Sequence, residues 1–313
     1  MLNGEVYTSW TSHCDDDPYT GWIIAYDGTT LARTRVFNIA PNSNGFGPSI
    51  WQSGGAPAAD SAGFIYLLAA QGVFETTMDA NGFPNKQDYG NSFLKISTAN
   101  HTLAVADYFT MWNELAETAA DLDLGGGGAM LLPDLVDATG AVKHLAIGAG
   151  KDVVIYVVDR DSMGRFNSSK NNIWQEIDSG MASALRSTPA YFNGHVYLSD
   201  RDHPLKSFTV TAAKLPSAPS SQSSATFVYP GTSAVVSANG TSNGIVWAQE
   251  GSSPGVLHAL DANNLAIELY SSKQAANGRD TYGTGGRFVA PTVADGKVFV
   301  VGTTEVAVFG LLH

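Results

Sequence analysis

One recurring phrase constrains the fold more than any other feature of this chain. A small residue or proline leads into an apolar pair, a turn built on Asn or Asp and Gly, and then a strand of aromatic and β-branched residues. It occurs as LNGEVYTSW (2 to 10), APAADSAGFIYLLAA (56 to 70), STPAYFNGHVYLSD (187 to 200), SAVVSANGTSNGIVWAQE (233 to 250) and APTVADGKVFVVGT (290 to 303). Asn-Gly and Asp-Gly supply the positive φ angles that a two-residue hairpin turn requires, so each occurrence predicts two antiparallel strands.

A second phrase follows the first: an alternating strand, a turn containing Asp, and a further strand. Examples are GWIIAYDGTTLARTRVFN (21 to 38), NSFLKISTANHTLAVADYF (91 to 109), VIYVVDRDSM (154 to 163) and VLHALDANNLAIELYSS (256 to 272). Two successive hairpins make a four-stranded antiparallel unit. About six such units, spaced roughly 40 to 50 residues apart, predict an all-β fold, a β-propeller of about six four-stranded blades forming a single domain over 1–313. The first unit is expected to lack its innermost strand, because Met1 stands where that strand would end, and the last is expected to hold three strands. Pairing of N- and C-terminal strands would close the ring, and an open arc would close by homodimerisation. MWNELAETAADL (111 to 122) is the best helix candidate, and PSAPSSQSSATF (216 to 227) reads as a surface loop.

Composition agrees with many short strands and tight turns: charged residues are 15% of the chain, and there are 33 glycines among 313 residues. The net charge is −12 with no run of Lys and Arg, which would repel a phosphate backbone, so no nucleic-acid partner is expected. A single cysteine excludes an internal disulfide. No stretch reaches the ~18 continuous apolar residues of a membrane helix, and no membrane partner is expected.

The phrases resemble the quinoprotein alcohol dehydrogenase-like, or PQQ-like, β-propeller family over most of the chain. GAGKDVVIYVVDRDSMG (148 to 164) is similar to the family's strand pair ending in Tyr-x-Leu-Asp-Arg. DYGNSFLKIS (88 to 97) is similar to the strand after the long loop of the dehydrogenases, and NGEVYTSW with GWIIAYD to the pair around the cofactor-facing loop. Members generally have eight blades and a longer N-terminus, so this chain resembles the C-terminal part of such a propeller. The resemblance implies a periplasmic or secreted setting.

In the dehydrogenases a quinone lies over a calcium ion held by Glu, Asn and Asp, with a catalytic Asp and an Arg or Lys at the quinone oxygens. Carried onto this chain, the Glu position falls on Asp16 and the Asn position on Gln71. The Asp position falls on Asp121, with Asp123 second, and the basic position on Lys151. The family's adjacent-cysteine disulfide is absent, and WQSGGAPAAD (51 to 60) has Gly and Ala where the tryptophan floor would lie. These departures argue against a working PQQ site.

The stretch SHCDDDPYTGW (12 to 22) gathers His13, Cys14, Asp15, Asp16 and Asp17 between two strands. Carboxylate oxygens alone would suit Ca²⁺ or Mg²⁺, whereas adding imidazole or thiolate would favour Zn²⁺ or Mn²⁺. The alternative is a solvated acidic turn. His203 lies in a comparable loop beside Asp200 and Asp202 and is a further candidate ligand, whereas His144 and His258 read as core histidines. The Gly-rich run ADLDLGGGGAML (120 to 131) lacks the Lys-Ser/Thr ending of a nucleotide loop and reads as a close approach of backbone carrying Asp121 or Asp123.

Three functions are compatible with these residues. The first is a metal-assisted hydrolase of small esters or phosphoesters, with Asp16, Asp121 and His13 on the ion and Lys151 facing a developing oxyanion. The second is a PQQ- and Ca²⁺-dependent dehydrogenase, and the third a non-catalytic propeller that binds a small ligand or a protein.

Overall fold

The computed structural model describes residues 1–12, 16 and 18–311. The chain packs as two compact units: Met1–Gln52, Ala56–Leu135 and Val142–Glu176 make the first, and Ser53–Gly55, Val136–Ala141 and Ile177–His313 the second.

Three sheets build the first unit. Glu5–Trp10, Trp22–Asp27 and Arg33–Asn38 form a three-stranded antiparallel meander, so the expected shortfall of one strand at the start is present. The second sheet runs Ala58–Ala59, Phe64–Leu68, Ser92–Ser97 and Ala104–Thr110, with the short Arg165–Phe166 segment added in parallel at its outer edge. The third comprises Met130–Leu131, Leu145–Ala149, Ile155–Asp159 and Gln175–Ile177.

The second unit repeats the plan. Ala190–Phe192, His195–Ser199, His203–Thr209 and Ser221–Phe227 form one four-stranded sheet. Val235–Asn239, Ser242–Glu250, Val256–Asp261 and Asn264–Ser271 form the next, and Thr292–Ala294, Lys297–Val301 and Val306–Phe309 the last. Apart from the Arg165–Phe166 edge segment and the outer strands of the third sheet, neighbours in space are neighbours in sequence, which is the order that successive hairpins impose.

The turn chemistry explains the hairpins. Asn3 and Gly4 have φ of 50° and 81°, Asn193 and Gly194 45° and 86°, and Asp295 and Gly296 49° and 69°, the doubly positive pattern of a type I′ turn. At the second class of turn an Asp closes on its own backbone: Asp27 Oδ1 accepts from the amides of Thr29 (3.0 Å) and Thr30 (2.7 Å), and Asp261 Oδ1 from Asn263 (2.8 Å).

Alternation along the strands sends one set of side chains to each face, and the cores lie between successive sheets. Ile23, Ile39, Leu67, Leu94 and Tyr108 belong to one cluster, while Tyr66, Phe93, Phe109, Ala146 and Tyr156 form the next. In the second unit Tyr197, Phe227, Val246 and Leu260 do the same between its first two sheets.

Among the described residues the one α-helix, Glu114–Ala119, lies within the segment expected, and the other helical elements are single turns elsewhere. The stretch 216–227 departs from expectation: Ser221–Phe227 is an outer strand rather than a loop. Its polar letters conceal an alternation, since Ser223 and Phe227 are buried and Ser223 Oγ accepts the amide of Leu205 at 3.0 Å. No helix among the described residues is long and apolar enough to cross a membrane.

Gly125 marks a close approach of backbone to backbone, because a Cβ there would stand 2.4 Å from the Ala70 nitrogen and 2.5 Å from the Ala69 carbonyl carbon. Backbone cannot yield as a flexible side chain can. Gly125→Ala is therefore expected to cost about 2–3 kcal/mol, seen as a lower urea midpoint with an unchanged slope.

Candidate functional site

Four of the residues singled out from the sequence meet in the first unit. Gln71 follows the Phe64–Leu68 strand, Asp121 and Asp123 follow the short helix, and Lys151 sits in the hairpin between Leu145–Ala149 and Ile155–Asp159. Asp123 is the hub. It is 5% exposed, its Oδ1 accepts the Gln71 amide at 2.7 Å, and its Oδ2 lies 2.5 Å from Lys151 Nζ. Its carbonyl accepts the Lys151 amide at 2.8 Å.

That last contact depends on Gly150, where a Cβ would fall 2.2 Å from the Asp123 oxygen. Only glycine lets the two loops close to this distance. Lys151 Nζ also reaches Asp121 Oδ1 at 2.8 Å, and Asp121 is held in the left-handed region at φ 57° with its side chain 68% exposed.

Burial alone would lower the Lys151 pKa, but hydrogen bonds and charge from Asp121 and Asp123 outweigh it and hold the ammonium above its ordinary range. The cation is thus fixed between two carboxylates. Beneath it lies a chain of bonds: Asn91 Oδ1 accepts the Leu124 amide (2.9 Å), Asn91 Nδ2 donates to Thr118 Oγ1 (3.1 Å), and Thr118 Oγ1 donates to Glu114 Oε1 (2.8 Å).

Three further carboxyls line this region, and the motif reading did not find them. Glu114 is fully buried with Oε2 unpartnered, and burial pushes its pKa up to about 7 against the hydrogen bond from Thr118. Burial likewise raises Asp152 to about 6, opposed by the bonds from Tyr156 Oη (2.5 Å) and the Val154 amide and reinforced by the charge of Glu117. Glu117 is itself raised by burial, though Asn113 donates to it at 2.5 Å. The signal was weak because helical Glu and hairpin Asp are ordinary surface residues; only tertiary burial makes them otherwise.

Asp16 is exposed, while His13, Asp15 and Asp17 lie outside the described residues. His203 belongs to the second unit, where its Nδ1 lies 2.8 Å from the Arg201 carbonyl and 3.7 Å from Asp200 Oδ2. Asp200 is fully buried and already engaged by Lys206 Nζ at 2.5 Å and the amides of Ala182 and Ser183. His258, read as a core histidine, is 3% exposed and bonded at both nitrogens, to Glu268 Oε1 at 2.6 Å and Glu250 Oε1 at 2.9 Å.

The fit to a metal or to calcium-bound quinone can be judged from these donors. Calcium takes six to eight oxygens. Here Asp121 and Asp123 each give an oxygen to Lys151, and the buried side-chain oxygens of this region left without a partner are Gln71 Oε1, Glu114 Oε2 and Glu117 Oε2, among the described residues. A divalent ion on the same carboxylates would sit beside an ammonium, so the cluster as folded does not fit one. No group of three His, Cys, Asp or Glu side chains is arranged to hold a metal among the described residues.

Comparison with known structures fits this architecture. The chain is similar to quinohemoprotein alcohol dehydrogenase from Comamonas testosteroni, at 14% identity and a TM-score of 0.59, covering 96% of this chain and 55% of that one. It is also similar to quinohemoprotein alcohol dehydrogenase ADHIIG from Pseudomonas putida HK5, at 14% identity and a TM-score of 0.53, covering 96% of this chain and 54% of that one. The fold is that of a PQQ-like β-propeller, and the chain spans about half the length of these enzymes. No protein-family model matches the sequence, and no curated protein does.

Two outcomes test the cluster. Lys151→Met leaves buried Asp123 without its cation and is expected to cost about 2–4 kcal/mol by denaturant unfolding at pH 7. Glu114→Gln tests burial of the carboxyl. Because its folded pKa is raised, the wild type carries no penalty below pH ~4.5, loses stability as pH rises toward about 7, and keeps the full penalty above that. The variant is therefore expected to melt higher than wild type at pH 8 and equally at pH 4, with a gain of roughly 3 kcal/mol at the alkaline end.

Proposed function

We propose that this chain is a non-catalytic binding propeller, in which the residues corresponding to a dehydrogenase's quinone and calcium site serve as a structural ion-pair cluster. The observation that carries this reading is the position of Lys151 Nζ, 2.5 Å from Asp123 and 2.8 Å from Asp121. An ammonium there neutralises the carboxylates that would otherwise call for a metal ion, and it is too firmly held to be free for an incoming oxyanion.

The metal-assisted hydrolase needs those carboxylate oxygens for its ion and Lys151 for its substrate. Both demands fall on groups already committed to each other. The quinone-dependent reading needs the same oxygens around Ca²⁺. The setting we propose is periplasmic or extracellular, as the family resemblance implies, with a small molecule or a protein as partner.

The binding reading expects no reduction of an artificial electron acceptor after incubation with PQQ and Ca²⁺, and no hydrolysis of chromogenic esters or phosphoesters with Zn²⁺ or Mn²⁺. Acceptor reduction, or ester turnover abolished by a chelator, would overturn it. Elemental mass spectrometry of protein purified without chelator, beside Asp16→Asn, covers the opening loop. About one equivalent of divalent ion, lost in the variant, would place a metal on that loop and favour the hydrolase over the binding reading.

A further inference from the structure

The protein carries 17 Lys and Arg against 29 Asp and Glu, so basic groups should readily find carboxylate partners. Most do. Arg186 and Arg287, both in the second unit, form no ion pair and no side-chain hydrogen bond among the described residues, and Arg186 Nη1 is buried with no hydrogen-bond partner. A buried guanidinium nitrogen with nothing to donate to is costly; Arg35 and Arg160 each have one as well, but they are ion-paired, to Glu5 and Asp60.

The two arginines converge on one ring. The Cζ of Arg186 lies 5.4 Å from the Tyr229 ring centroid and that of Arg287 5.8 Å from it. Phe288 packs edge-on against Tyr229 at 5.7 Å, and the two rings remain 37% (Tyr229) and 42% (Phe288) exposed. These side chains come from the three loops that enter the first strands of the second unit's sheets, Ala190–Phe192, Val235–Asn239 and Thr292–Ala294. Sheets in succession therefore each contribute to one cluster.

The loops are fixed rather than incidental. The Tyr229 amide donates to Asp202 Oδ1 at 3.0 Å, and Gln249 Nε2 donates to the Gly286 carbonyl at 3.0 Å, just before Arg287. Gly251 leaves room for the Arg287 stem, since a Cβ there would stand 3.0 Å from Arg287 Cγ. Nearby acids are already committed: Asp202 Oδ2 to Arg201 at 2.9 Å, and Asp200 to Lys206. The cluster thus presents unneutralised positive charge beside exposed aromatic faces.

We infer that Arg186, Arg287, Tyr229 and Phe288 form a binding site for a small ligand carrying an oxyanion, carboxylate or phosphate, on an aromatic or apolar body. Guanidinium groups match the planar geometry of such anions and stack on aromatic rings, which leaves their N–H edges free to donate. The exposed rings of Tyr229 and Phe288 take the apolar part. The inference gives the binding reading a ligand class, and rests on that reading only in treating the chain as a binding module. It makes no use of Lys151.

The experiment is a titration of the full chain, followed by tyrosine fluorescence and by melting temperature, with phenyl phosphate, benzoate, inorganic phosphate and benzyl alcohol. Phenyl phosphate and benzoate are expected to bind and raise the melting temperature, inorganic phosphate to bind more weakly, and benzyl alcohol not to bind. Arg186→Met and Arg287→Met should each weaken phenyl phosphate binding about tenfold or more, while Arg186→Lys recovers part of it and Lys297→Met leaves it unchanged. Without ligand, Arg186→Met should melt no lower than wild type, because it removes an unpartnered buried donor. A structural role would give the opposite result. No binding of either aromatic anion at millimolar concentration, or equal binding by Arg186→Met, would overturn the inference. Enzymatic turnover in the earlier assays would overturn the binding reading while leaving this titration to stand or fall by itself.

Discussion

The first unit turns on one carboxylate. Asp123 is buried, and its two oxygens and its carbonyl fix the loops of two different sheets: Gln71 through the amide, Lys151 through both amide and ammonium. A buried carboxylate tolerates no loss of these partners, because the cost of an unpaired charge away from water exceeds the cost of ordering the loops. Gly125 and Gly150 follow from the same requirement, since a side chain at either would hold the backbones apart. The raised carboxyls of Glu114 and Asp152 follow as well, being buried where the short helix and the Lys151 hairpin are drawn inward.

Charge is handled differently in different clusters. Around Asp123 a cation is enclosed by acids and their demands are met internally, as they are around Lys206 and Asp200. Around Tyr229 two arginines face aromatic surface with no ion pair among the described residues. Satisfied clusters hold a fold together, whereas an unsatisfied one in a chain of net charge −12 calls for a partner from outside. This contrast separates the scaffold-like cluster from the candidate binding surface more sharply than any motif does.

Much of the architecture could be read directly from the letters. The Asn3-Gly4, Asn193-Gly194 and Asp295-Gly296 turns have the positive φ values their residues favour, and six of the seven sheets follow one another along the chain apart from the Arg165–Phe166 edge segment. Ser221–Phe227 escaped because serine-rich strands look like loops until Ser223 is seen accepting the Leu205 amide. Gln71, Asp121, Asp123 and Lys151 were legible as a group only through family resemblance, since they are spread over 80 positions. Glu114, Asp152 and the Arg186–Arg287 pair were not legible at all. Nothing local distinguishes a buried Glu from an exposed one, or an unpaired Arg from a paired one.

Sequence by itself determined the secondary structure and its succession, because turn residues and strand alternation act over a few neighbouring positions. It also set the total charge and the supply of carboxylates and cations. Only the tertiary structure decided which charges meet, because packing sheet on sheet brings together loops far apart in the chain and excludes water from between them. Lys151 became the cation of the Asp121–Asp123 cluster, rather than a free group, by a close approach that Gly150 permits. Arg186 Nη1 was left without a hydrogen-bond partner among the described residues by the same packing.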